Sequence, residues 1–354
     1  MRRPLLLLSI FLSFTLIAAS CGDDEETPLH VGLVFDIGGE GDQSFNDSAA
    51  AGLARAEETF DITTTKVSPN DDGSNRAELL QLQADNSDLV LAIGFLFADD
   101  AAAVGGGNPD TNFAVVDDSM TDFDQDPPAP RGQNIAGLVF SEEQGSFLVG
   151  AAAALSSETG TIGFIGGVCC FGLIEKFEAG FRAGALHINP EIDIISNYIT
   201  EFPDFDGFNA PDRGRETALA IFEEGADVIY HAAGGTGAGL FAAAKEHSET
   251  TGSKVWGIGV DSDQYHTVDA DVQEYVLTSM LKRVDAAVFE IIKAHLEGTF
   301  GPGETRYDLS VDGVGYSTSG GFLSDDIVDQ LEDFKAQIID GSIVVPTDPT
   351  EVGA

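Results

Sequence analysis

Three apolar runs in this chain each end in a carboxylate. Residues 31–35 run into Asp36, 113–116 into Asp117, and 255–260 into Asp261. In open parallel sheets a ligand sits beyond the carboxyl ends of the strands, so acids at three strand ends point to one polar site. A strand-end Asp also serves as an ordinary helix N-cap; the recurrence is what favours a shared site. Two glycine-rich turns stand nearby. Gly38-Gly39-Glu40-Gly41-Asp42-Gln43-Ser44-Phe45-Asn46 follows the first run, and Gly234-Gly235-Thr236-Gly237-Ala238-Gly239 follows the run closing at His231. Such turns let backbone amides approach a ligand, or simply take a strand into a helix. Lysines and arginines number 17 against 60 acids, so Lys282, just past an apolar run, stands out. It reads either as a partner for Asp261 beside ligand hydroxyls or as a solvated helix start. Phe45 and Phe208 lie in polar loops, where a ring stacks on a ligand or plugs its own loop.

The familiar hydrolytic and nucleotide-cleaving signatures are absent: there is no G-x-S-x-G, no G-x-x-x-x-G-K-[ST] and no H-E-x-x-H. The histidines show no metal-ligand spacing. Gly237-Ala238-Gly239-Leu240-Phe241-Ala242 matches a loose G-x-G-x-x-A dinucleotide pattern with Asp261 one strand on, so a cofactor enzyme stands as the remote alternative.

The elements that must position these residues alternate along the chain. Apolar strand-like runs at 31–35, 89–93, 113–116, 134–140, 161–165, 192–198, 227–231, 255–260 and 275–281 are separated by helix-like stretches, among them 145–155, 173–186, 213–224 and 285–296. Continuous apolar strands between helices predict parallel sheets covered on both faces. About ten strands exceed one comfortable sheet, so the expectation is an α/β protein of two lobes. The loop 121–132 reads as a surface excursion, with a lobe crossing expected near Asn134 and a second near 259–263.

Composition sets further bounds. The formal charge of −43 opposes binding to nucleic acid or anionic headgroups, and it suits a saline habitat where counter-ions screen self-repulsion. A hydrophobic share of 43% is enough to bury a core. Arg2, Arg3 and an apolar run over 5–17 read as an export leader, and Ala18-Ala19-Ser20-Cys21 as a lipoprotein junction at which the Cys21 thiol takes a diacylglycerol. An ordinary secretory leader with an incidental cysteine is the plainer alternative. Acidic residues 22–27 then read as a disordered spacer. Cys169 and Cys170 are either two small apolar fillers or a bridge between neighbours.

With these residues on the page, the chain resembles the basic membrane protein family of substrate-binding lipoproteins, which includes purine nucleoside receptors. The resemblance runs from about residue 30 to 345. It is carried by Val34-Phe35-Asp36-Ile37-Gly38-Gly39, Asp42-Gln43-Ser44-Phe45-Asn46, Gly94-Phe95-Leu96-Phe97, and the run 113–117. It continues in Gly145-Ser146-Phe147-Leu148-Val149-Gly150, Lys176-Phe177-Glu178-Ala179-Gly180-Phe181, and His231-Ala232-Ala233-Gly234-Gly235-Thr236-Gly237. Asp261-Ser262-Asp263-Gln264-Tyr265 and Thr278-Ser279-Met280-Leu281-Lys282-Arg283 complete it.

The resemblance implies a two-lobed periplasmic-binding fold of type I with three interlobe crossings. On that pattern residues 1–20 are signal peptide and 21–29 tether. Lobe 1 is 30–138 plus about 261–285, lobe 2 is 139–260 plus about 286–346, and 347–354 is a tail. It also implies a nucleoside as ligand. Phe45 and Phe208 would sandwich the base, with Phe202 and Phe205 as competitors for the second ring. Asn46 and Asp117 would hydrogen-bond the base edge, and Asp36, Gly235, Asp261 and Lys282 would hold the ribose. No cofactor or metal is expected. The partners implied are an ABC permease and ATPase, with the protein a monomer held by lipid on the periplasmic or extracellular face of the cell membrane; a sensory lipoprotein is the alternative role. The chain departs from the family pattern at Val168-Cys169-Cys170-Phe171-Gly172, where relatives carry a proline-containing loop beside the cleft.

Overall fold

The structure, a computed structural model, describes residues 28–70 and 73–352. The expected leader, Cys21 and the acidic spacer to residue 27 lie outside the described residues. The strands, in chain order, are β1 (Leu29–Val34), β2 (Ile62–Val67), β3 (Leu89–Ala92), β4 (Asn112–Val116), β5 (Thr121–Asp122), β6 (Ala129–Pro130) and β7 (Ile135–Phe140). They continue as β8 (Thr161–Cys169), β9 (Asp193–Glu201), β10 (Val228–Ala232), β11 (Trp256–Asp261), β12 (Val276–Lys282), β13 (Gly303–Tyr307) and β14 (Val314–Tyr316).

These strands build two six-stranded sheets, ordered β13-β7-β4-β3-β1-β2 and β14-β12-β11-β10-β8-β9. Both are parallel except that β14 runs antiparallel to β12. The central strands are apolar and buried throughout; β3 and β7 expose nothing on either face, as strands covered by helices on both sides must be. β5 and β6 form a small hairpin in the surface excursion between β4 and β7. Among the described residues no helix is long and apolar enough to cross a membrane.

The chain crosses between lobes three times: after Phe140 into helix Glu142–Ser156, between Lys282 and helix Val284–Leu296, and between β13 and β14. The crossings lie side by side. The amide of Ser141 donates to Tyr307 O at 3.0 Å, and that of Arg283 to Gly313 O at 2.9 Å. Short, adjacent strands of chain at a lobe boundary are suited to hinge bending.

The sheet pairing corrects the expected lobe boundaries. β7 stays in the first sheet beside β4, so the first crossing falls at Ser141, not near Asn134. β12 pairs with β11 in the second sheet, so residues 262–282 belong to lobe 2 rather than lobe 1. Helix Val284–Leu296 packs on helix Phe45–Thr59, and β13 pairs with β7, so both belong to lobe 1; only from β14 onward is the chain back in lobe 2. β1 already begins at Leu29, inside the expected tether. The expected tail includes a 3-10 turn, Pro349–Glu351, resting on helix Leu173–Ile188.

A chain carrying −43 formal charges repels itself in any compact state, and salt screens that repulsion over about 10 Å at about 0.1 M and about 3 Å at about 1 M. The melting temperature should therefore climb steadily as KCl is raised from about 0.1 M to about 2 M; a flat melting temperature would remove the link between acidity and a saline habitat.

Candidate functional site

Both sheets have the order in which the chain reverses beside its first strand, between β1 and β3 in one and between β8 and β10 in the other. The carboxyl ends at these switch points are where doubly wound sheets place ligands. In this protein the two switch points face each other. Between them lies a cleft that is open in part to solvent, the concave form in which small molecules are held. Lobe 1 lines it with Asp36, Asp42, Phe45, Asn46, Phe95 and Asp117. Lobe 2 contributes Phe177, Phe208, Gly234, Asp261 and Lys282, with Leu173 and Ile174 at the start of a helix.

Lys282 ends β12 and is 2% exposed. Its ammonium lies 2.6 and 2.7 Å from the two carboxylate oxygens of Asp117, across the lobe boundary, and 3.3 Å from Glu142 Oε1. Glu142, 1% exposed at the first crossing, also reaches Lys176 at 3.4 Å. The rings of Phe45, Phe140 and Phe177 surround the ammonium at 5.1, 5.1 and 5.6 Å, close enough for cation–π attraction. Burial pulls the Lys282 pKa down, but Asp117, Glu142 and Asp261 outweigh it and hold the ammonium above its ordinary value. Burial raises Asp117, against Lys282, with Glu142 adding to the rise.

Asp117 and Asp261 both have left-handed backbone, φ 69° and 63°, a conformation that non-glycine residues adopt mainly as Asn or Asp and often at functional sites. Asp261 Oδ2 accepts from Ser44 Oγ of the other lobe at 2.6 Å. Asp36 accepts from the Ile37 amide at 2.8 Å. Gly94, φ 112°, is obligatory behind Asp36, because a Cβ there would run into its carboxylate. Burial pushes both Asp36 and Asp261 up to about 7; the Ile37 amide opposes it at the first and Lys282 at the second.

Asp42 and Asn46 organise the loop that carries Phe45. The Asp42 carboxylate accepts from the amides of Ser44, Asn46 and Asp47 at 2.9, 2.8 and 3.1 Å, satisfying the first turn of helix Phe45–Thr59. Asn46, 1% exposed, accepts from the Asp36 amide at 2.9 Å and donates to Ile37 O and Asp42 at 3.2 and 3.0 Å.

The eight candidate residues thus converge, with two corrections of detail. Asn46 lines the cleft, but both its amide hydrogens are engaged within the loop, so it positions Asp36 rather than presenting free donors. Gly235 stands beside the cleft, near Phe208 O and Asp42; its neighbour Gly234 lines it. Of the three competing phenylalanines Phe208 lines the cavity, while Phe202 and Phe205 do not. Asp42, Phe95, Glu142 and Phe177 were not singled out; Asp42 stood in the first glycine-rich turn and Phe95 and Phe177 in the family segments, while Glu142 looks like any charge at a helix start.

The dinucleotide-like glycines serve packing. Gly237 leaves room for the His231 ring, and Gly239 lies against the backbone of helix Pro211–Glu223. His231 is fully buried, with Nε2 2.8 Å from Gln264 Oε1, and burial lowers its pKa to about 4.

Comparison with known proteins agrees with this geometry. The sequence model of the family described as ABC transporter substrate-binding protein PnrA-like matches residues 30–349. The chain is 35% identical to the CD4+ T-cell-stimulating antigen of Listeria monocytogenes, covering 97% of this chain and 98% of that one. It is 30% identical to the ABC transporter nucleoside-binding protein BmpA of Lactococcus lactis, over 98% and 99% of the two chains. A crystal structure of an ABC transporter solute-binding protein from Aeropyrum pernix superimposes with a TM-score of 0.74 at 27% identity, over 91% of this chain and 94% of that one.

Two outcomes follow from the charges. Lys282→Met leaves Asp117 buried without its paired cation and Glu142 with Lys176 alone, and losing one partner of a buried pair costs about 3–5 kcal/mol; the urea midpoint should fall sharply, and an unchanged midpoint would contradict the network. Asp36 and Asp261 hold protons in the folded protein up to about 7 but release them near 3.8 when unfolded. Their contribution to stability is therefore present at low pH and lost as pH rises from 3.8 through about 7. Urea midpoints across that window should fall less with rising pH in Asp261→Asn than in the parent; identical slopes would exclude Asp261 as a source.

Proposed function

The chain belongs to the family of PnrA-like ABC transporter substrate-binding proteins, and we propose that its cleft captures a nucleoside, a purine nucleoside first of all, for delivery to an ABC permease and its ATPase. The observation that carries this reading is the pairing, in one cavity, of aromatic rings from opposite lobes, Phe45 and Phe208, with carboxylates at strand ends. A nucleoside is a flat ring joined to a diol. Two ring faces suit the base with little regard for its identity. Carboxylates of Asp36 and Asp261 suit the hydroxyls, since each can accept charge-assisted hydrogen bonds. The nucleoside-binding name of the Lactococcus lactis relative supports the same ligand class.

The charge balance narrows the choice. Four carboxylates line the cavity, and its single ammonium is already held between Asp117 and Glu142. A phosphate would meet acids without a free cation, so the ligand is a nucleoside and not a nucleotide. Closure of the lobes about the three crossings would desolvate the guest and present one closed shape to the permease. Delivery asks for no bond to be made or broken, which fits a solute-binding protein. We place the mature protein at the cell membrane on its periplasmic or extracellular face, anchored by lipid on Cys21, as a monomer.

Inosine, guanosine or adenosine should raise the melting temperature and bind at micromolar or lower Kd, while the matching 5′-monophosphates should not. Asp261→Ala should abolish binding. Because hydroxyl donors favour the ionised acids, affinity should rise as pH climbs through about 7. A full nucleoside panel without a shift would overturn the ligand assignment and leave the family intact.

A further inference from the structure

The departure from the family pattern lies at the edge of the cleft. Cys169, the last residue of β8, is disulfide-bonded to Cys170. Cys170 is solvent-exposed and left-handed, φ 75°. Its amide and that of Gly172 both donate to the Glu175 carboxylate, the latter at 2.8 Å, so the turn is tied to the helix whose first residues, Leu173 and Ile174, line the cavity. Phe171 follows the bonded pair. Its ring stacks on Phe95 of lobe 1, centroids 4.9 Å apart and planes 24° from parallel. Phe205 closes the group from lobe 2, edge-on to both rings at 5.9 and 5.8 Å. Phe95 itself lines the cavity.

We propose that Phe95 and Phe171 form an aromatic gate between the lobes, and that the Cys169–Cys170 disulfide is the device that holds Phe171 in it. The bond joins residues adjacent in the chain, so it closes a small ring that limits the backbone at Cys170 and with it the direction in which Phe171 leaves the turn. Without the bond, the turn keeps its hydrogen bonds to Glu175 and that of the Phe202 amide to Cys169 O, but a left-handed Cys170 has no covalent reason to persist. The gate is therefore sensitive to reduction. A dithiol reductant passes two electrons and two protons to the bridge, which becomes two thiols while the reductant becomes a disulfide. Exposure of Cys170 gives such a reagent access. The gate's effect on ligand residence rests on the ligand-capture reading above; the gate itself does not.

Two measurements separate them. In the first no ligand is present. Hydrogen exchange is followed in peptides covering 94–98 and 168–173, with and without a dithiol reductant. Reduction should speed exchange in both, including the lobe 1 segment, which holds no cysteine. The Cys169→Ser/Cys170→Ser variant should exchange at the faster level and ignore the reductant, and Phe171→Ala should loosen 94–98 with the bridge intact. A response confined to 168–173, or free thiols found by alkylation and mass in the unreduced protein, would overturn the gate. In the second, bound inosine is chased with unlabelled inosine. Reduction or Phe171→Ala should speed dissociation about two- to ten-fold, the range expected for losing one aromatic pair. Unchanged dissociation in fully reduced protein also overturns the gate, whereas absence of inosine binding counts against the ligand assignment and leaves the first measurement to decide.

Discussion

The cleft depends on one buried cation. An ammonium taken from water is costly, and at Lys282 the cost is offset only because acids from three different segments face it. Asp117 comes from lobe 1, Glu142 from the first crossing, and Asp261 from lobe 2. Lys282 itself is the last residue before the second crossing. The charge thus sits at the root of the hinge, where lobe movement displaces it least. Its pairing fixes Asp117 as a wall of the site and fills its own donors in doing so. What remains is a surplus of acceptors, Asp36 and Asp261 foremost, in a cavity otherwise lined by rings and aliphatic side chains. Such a site suits the guest proposed for it, one that brings hydrogen-bond donors and a flat apolar face.

Backbone geometry at the strand ends serves the same purpose. A strand that ran straight on would point its next side chain to one face of the sheet, into the covering helices. At Asp117 and Asp261 the left-handed turn redirects the carboxylate into the gap, and at Gly94 the turn keeps the chain clear of Asp36. Sparsely populated conformations of this kind cost about 1–3 kcal/mol each and persist where the surroundings hold them. Ser44 holds Asp261 and Lys282 holds Asp117, so the polar network and the unusual backbone support each other.

Much of this was legible before any coordinates. The central strands are runs of consecutive apolar residues, and the carboxylates that close three of them are the ones that meet in the cleft. Apart from the two-residue hairpin strands β5 and β6, the strands without a sequence signal are β2, β13 and β14, all at the edges of the six-stranded sheets. β2 reads Ile-Thr-Thr-Thr-Lys-Val and β13 Gly-Glu-Thr-Arg-Tyr, because an edge strand faces water on one side and needs little apolar content. The lobe boundaries are not legible in the sequence for a different reason. Residues 275–281 announce a buried strand, but periodicity cannot say which of two sheets will bury it; only the register of β12 on β11 does. Glu142 escaped because an acid at a helix start is ordinary, and its burial arises from packing beside Lys282 and Lys176, remote in sequence. The family pattern implies Asn46 as a contact to the base edge, but it does not show where the side chain's own hydrogen bonds go. Its hydrogen bonds go inward because the loop's own amides and carbonyls are nearer.

The loop 36–46 joins recognition to closure. Its Asp36, Phe45 and Asn46 form a wall of the cavity, while its Gln43 and Ser44 clasp the opposite lobe. Gln264 and Thr267 each donate to Gln43 O at 3.0 Å, Ser262 donates to Ser44 O at 2.9 Å, and Ser44 donates to Asp261. Each of these contacts is a polar bond that water can replace, and the three to backbone carbonyls are worth only about 0.5–1.5 kcal/mol net each. An apolar seam of the same extent would lock the lobes together. A polar clasp leaves open and closed arrangements near enough in free energy for a small guest to decide between them, and a guest decides only by the difference in its affinity for the two. A ligand that touches Phe45 and Asp261 at once has that difference, because only the clasped arrangement brings the two within reach of one molecule.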